Sequence, residues 1–61
     1  MNPEAIKQRN LVKEARSAHA QGRITQAELY RVVDNYRAWM IARVGKKKAA
    51  RFSRAYILRA L

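Results

Sequence analysis

Gly22-Arg23-Ile24-Thr25-Gln26-Ala27-Glu28-Leu29 decides the fold of this chain. Gly is the residue type expected just past a helix end, because it enters the left-handed region without a Cβ clash. Thr25 and Glu28 then stand at capping-box spacing. The Thr25 hydroxyl is expected to take the amide of Glu28, and the Glu28 carboxylate to reach back to the Thr25 amide. Ile24 before the cap and Leu29 at the fourth helical position complete a hydrophobic staple. One helix therefore stops and another starts between Gly22 and Thr25, which predicts a tight turn joining two antiparallel helices.

Upstream, Asn2 is a good N-cap, Pro3 suits the first helical position and Glu4 favours the positive end of the helix dipole. A first helix is predicted over about residues 3–21. Its apolar stripe is thin: Leu11, Val12, Ala15, Ala18 and His19 share one face at helical spacing, and His19 is expected to be packed or partly buried there. Ile6 falls on the opposite side and suggests a second contact surface. Downstream, a helix is predicted over about 26–44, with Leu29, Val32, Val33, Tyr36, Trp39, Met40 and Val44 on its core face. Arg31, Asn35, Ala38 and Ala42 lie opposite, while Tyr30 and Ile41 flank Arg37 in a strip that suits a third helix or a second subunit.

Gly22, Ile24, Thr25 and Glu28 also make this turn similar to that of a family of short bacterial helical-hairpin modules, the SHOCT type. The likeness covers the turn and its flanks. It implies a helical hairpin and a role in association; in that family the hairpin usually ends a longer protein, whereas here a basic segment follows it.

Beyond Gly45 the composition changes. Residues 1–34 carry six bases and four acids, whereas residues 35–61 carry eight bases and no acid, so eight of the ten net positive charges lie in the second stretch. Gly45 is expected to break the chain, and a third helix is predicted over about 46–60. Ala49, Phe52, Ser53, Tyr56, Ile57 and Ala60 fall on its apolar side, with Arg51, Arg54 and Arg59 opposite; Leu58 and Leu61 lie outside the stripe. The expected class is thus all-α, a single small domain over residues 1–61 in which a hairpin and a basic C-terminal helix form a three-helix arrangement. Eleven of the thirty apolar residues are Ala, and a chain this short buries only about 60% of its unfolded surface. Dimerisation through helix 2 and the apolar side of the last helix is therefore expected to complete the core.

Several function classes are disfavoured. With no Cys and one His there is no disulfide framework and no zinc ligand set, so neither a metal nor another cofactor is expected. Glu4, Glu14, Glu28 and Asp34 are scattered, Ser17 and Ser53 lack an activating motif, and no Gly-rich phosphate loop is present; a non-enzymatic protein is expected. No apolar run reaches the roughly 18 residues of a membrane span. The N-terminus lacks a signal peptide's apolar stretch, and the expected location is the cytoplasm.

Lys46-Lys47-Lys48 is the most informative feature for function. At the start of a helix these cations oppose the dipole, and no acid follows to pair with them. Their placement does not serve local stability, whereas a polyanion would use it: Lys and Arg that contact phosphates release condensed counterions. Nucleic-acid binding is the leading expectation, DNA before RNA, in a regulatory or architectural role. Lys46, Lys47 and Lys48 would clamp phosphates, Arg51 and Arg54 would lie nearest the groove, and Arg43 and Arg59 would flank them. A basic helix resting on two others is also how trihelical DNA readers present a recognition helix. Phe52 and Tyr56 are candidates for stacking on single-stranded RNA, although their spacing fits core positions better, and Tyr30 is the aromatic expected to be most exposed. The alternative is an adaptor or inhibitor whose basic face docks on an acidic protein. A basic amphipathic segment over 46–61 that lies on a membrane surface is a third reading.

Overall fold

The computed structural model describes residues 2–61, and among them every regular element is helical. The order is α1 (Pro3–Ala20), α2 (Gln26–Val44), α3 (Lys46–Ala49) and α4 (Arg54–Ala60). Its radius of gyration, 11.5 Å, lies near the roughly 10.5 Å of a compact chain of this length.

The first two helices begin and end where the local chemistry directs. Asn2 Oδ1 accepts the Glu4 amide at 2.9 Å with Pro3 in the first turn. At the other end of α1, Gly22 adopts φ +75°; its amide donates to the His19 carbonyl at 3.0 Å and the Arg23 amide to the Ala18 carbonyl at 2.8 Å. That is the Schellman pattern, in which a left-handed residue turns the chain back on the last carbonyls. Thr25 Oγ1 then takes the Glu28 amide at 3.2 Å. The capping box differs from expectation in one detail: the Glu28 carboxylate accepts the Thr25 hydroxyl, at 3.2 Å, instead of the backbone amide.

The core is small and centred on α2, which contacts all three other helices. Val12 and Ala15 of α1, Leu29, Val33 and Tyr36 of α2, and Ile57 of α4 form the buried cluster. Ile24, Val32, Trp39, Met40, Phe52, Leu58 and Leu61 pack around it half-buried. The helical stripes were thus broadly legible, with exceptions at their edges. Leu11 and Val44 are exposed, and so is His19, which lies outside the packed stripe. Leu58 and Leu61, outside the predicted stripe, pack on the core.

The predicted third helix over 46–60 is corrected to two short ones. Gly45 breaks the chain as expected, at φ +89°. A second break at residues 50–53 separates α3 from α4. In a continuous helix the Phe52 carbonyl would accept the Tyr56 amide. Here Ser53 Oγ takes that amide at 3.1 Å, capping α4, and the freed Phe52 carbonyl accepts Arg37 Nε at 2.7 Å. Ala49 before the bend and Ile57 after it are both buried.

Three arginine contacts bind the C-terminal arm to α1 and α2. Arg37 of α2 holds Phe52 as described. Arg16 of α1 donates to the main-chain oxygens of Leu58 at 2.8 Å and Leu61 at 2.9 Å, satisfying the end of α4. Arg54 of α4 makes a two-pronged bond with Asp34 of α2, at 2.8 Å and 2.7 Å.

Candidate nucleic-acid interface

The residues predicted to contact a polyanion are Arg43, Lys46, Lys47, Lys48, Arg51, Arg54 and Arg59, and all are exposed. They separate into four groups by what surrounds them. Lys46, Lys47 and Lys48 occupy one turn, α3, whose N-cap Gly45 offers no side-chain hydrogen bond. Lys47, Lys48 and Arg51 surround a shallow depression of about 470 Å³ with Phe52 as its apolar wall. Among the described residues no carboxylate pairs with these four cations, because the one salt bridge is Asp34–Arg54.

Arg43 stands one turn earlier, on α2, with its guanidinium 5.1 Å from the centre of the Trp39 ring. The stacking presents a flat, partly desolvated cation beside the lysine turn. Arg59 is carried by a different element, in the last turn of α4, where a cation complements the negative end of the dipole.

Arg54 is the departure from expectation. It is engaged by Asp34 and lies with its guanidinium 4.8 Å from the centre of the Tyr30 ring. The Arg54 hydrogen bond holds the Asp34 carboxyl below its ordinary pKa. Charge attraction from Arg54 and Arg37 adds to this, against a desolvation that pushes upward. The same bond raises Arg54. Arg54 is therefore paired within the chain, and α4, seven residues long, is no extended recognition helix.

The aromatic side chains are also largely engaged. Phe52 and Tyr56 lie with ring centres 5.2 Å apart and their planes inclined at 57°, Trp39 lies under Arg43, and Tyr30 lies under Arg54. Tyr30, expected to be the most exposed aromatic, is half-buried, while Tyr56 keeps 47% of its surface exposed. Sequence reasoning missed Arg16, Asp34 and Arg37, whose partners lie 15 to 45 residues away. Only Asp34, the last acid before an acid-free stretch, carried a signal.

No family model, curated protein or solved structure matches the chain. Among the described residues no group of three His, Cys, Asp or Glu could hold a metal ion, and no helix is long and apolar enough to cross a membrane.

Proposed function

We propose that this protein binds the phosphate backbone of nucleic acid, duplex DNA in preference to RNA, in an architectural or regulatory role without catalysis. One observation carries the reading: Lys46, Lys47, Lys48 and Arg51 are exposed, lie within six residues of one another and meet no carboxylate among the described residues. Such a dense group of unneutralised cations fits a phosphate backbone, which releases condensed counterions on contact. Duplex DNA is favoured because Trp39 and Tyr30 each carry an arginine over a ring face and Phe52 is half-buried, which leaves Tyr56 as the main exposed ring for splayed bases. With α4 short and Arg54 engaged, the binding mode is backbone contact without a groove-reading helix. A homodimer would have to use the apolar side chains left exposed, Ile6, Leu11, Val44 and Tyr56.

The test is binding to labelled duplex DNA and single-stranded RNA across a salt series with nonspecific competitor. Duplex affinity should survive competitor at physiological salt. Lys47→Glu with Arg51→Glu should abolish it and leave helicity unchanged, and single neutral substitutions should each flatten the salt slope by about 0.9. Affinity for every polynucleotide that vanishes at modest salt would instead assign the face to an acidic protein surface.

A further inference from the structure

A second depression, of about 420 Å³, is lined by Asp34, Arg37, Ala38, Ile41, Ser53 and Arg54. We propose that it is a phosphate site in which Asp34 stands where the phosphate would sit, holding Arg54 until a phosphodiester displaces it. The proposal rests on the nucleic-acid reading and adds a second phosphate contact to that of Lys47, Lys48 and Arg51.

Its polar groups are nearly all donors. Arg37 is pinned through Nε by the Phe52 carbonyl at 2.7 Å, and its two Nη groups make no hydrogen bond among the described residues. Ser53 Oγ accepts the Tyr56 amide, which leaves the hydroxyl proton free to donate. Arg54 gives Nε and Nη2 to the two carboxylate oxygens, and the Tyr30 ring supports its face. A guanidinium fork matches the paired oxygens of a phosphate as well as those of a carboxylate. Two guanidinium groups against one carboxylate also leave one positive charge uncompensated.

Asp34 is a replaceable occupant. The side chains of the pair are 52% and 45% exposed, and exposed ion pairs are weak and screened by salt. A phosphate that took Arg54 would gain Arg37 and Ser53 as well, opposed only by the charge of Asp34. The carboxylate thus acts as a built-in competitor that lowers affinity for the polyanion.

Asp34→Asn tests this directly, because Asn keeps the shape and an acceptor for Arg54 while removing the competing charge. Duplex DNA affinity at low salt should rise several-fold, and the slope of log affinity against log salt should steepen by about 0.9, one further phosphate. Adding Arg37→Gln should remove the gain. In parallel, inorganic phosphate should shift the side-chain Nε–H resonances of Arg37 and Arg54 and the Ser53 amide saturably, at lower concentration in the variant than in the unsubstituted protein. A helical Asp34→Asn protein with unchanged affinity, unchanged slope and unmoved arginine resonances would overturn the proposal. If neither protein binds duplex DNA but phosphate still moves those resonances, the site takes free phosphate and the nucleic-acid reading falls. Should the variant fail to fold, the phosphate titration of the unsubstituted protein decides: shifts centred on Arg37 and Ser53 support the site, and shifts confined to Lys46–Lys48 refute it.

Discussion

The two long N-terminal helices and the C-terminal arm are built on opposite principles. Helices α1 and α2, 18 and 19 residues long, begin at side-chain caps and meet across a turn fixed by Gly22 and Thr25. Helices α3 and α4, four and seven residues long, are too short to persist alone. They stay in place because Ala49 and Ile57 bury and because Arg16, Arg37 and Asp34 reach across from α1 and α2. The basic residues divide along similar lines, with Arg54 as the exception. Arg16 and Arg37, on α1 and α2, donate to main-chain oxygens of the arm. Lys46, Lys47, Lys48 and Arg51, on the arm itself, meet no carboxylate among the described residues, while Arg54 pairs with Asp34. In one small chain, then, what a cation does depends on what it touches, not on its residue type.

The most severe way to break the contrast is Ile57→Ala. Ile57 is 2% exposed and is the arm's main apolar anchor. Its loss should cost about 2–5 kcal/mol, seen as a large drop in the thermal midpoint. An unchanged melt would show that α1 and α2 fold independently of the arm. Gly22→Ala attacks the other region. Nothing lies within 4 Å of the added methyl, so the cost is the left-handed backbone alone, about 1–2 kcal/mol, measurable by urea denaturation.

Arg37→Met removes the bond to the Phe52 carbonyl while keeping an apolar stem, and should cost about 1 kcal/mol. The loss should be local: amides of residues 54–60 should exchange faster, with the Schellman turn at 18–23 unaffected. The smallest effect is acid sensitivity of the arm. Asp34 has a folded pKa below its ordinary 3.8, so its contribution is present in full above that value. It is lost as pH falls through the folded value. Between neutral pH and pH 5 the pair should not alter the melt. Below pH 4 a small decline should appear that Asp34→Asn abolishes.

Much of the N-terminal region was legible because its signals are local. Thr25 and Glu28 are three residues apart, Gly22 acts on the turn immediately before it, and the stripe through Leu29, Val33 and Tyr36 follows from helical spacing. The arm was legible only in outline. Its charge and the break at Gly45 could be read directly, but the second break at 50–53 could not. It depends on whether the Phe52 carbonyl finds a better partner than the next turn of helix, and that partner, Arg37, is fifteen residues away. For the candidate interface, exposure of Lys46–Lys48 was readable from their repulsive placement. The engagement of Arg54 was not, since its partner Asp34 is twenty residues upstream.

The sequence by itself determined the helical class, the position and chemistry of the first turn, and the concentration of positive charge beyond residue 34. Each depends on neighbours a few bonds or one helical turn apart. Only the tertiary structure decided which arginines hold the arm and which cations stay free, and only it placed Asp34 opposite Arg54. Those outcomes depend on which side chain first reaches an unsatisfied oxygen once the helices are packed, and chain spacing does not encode that competition.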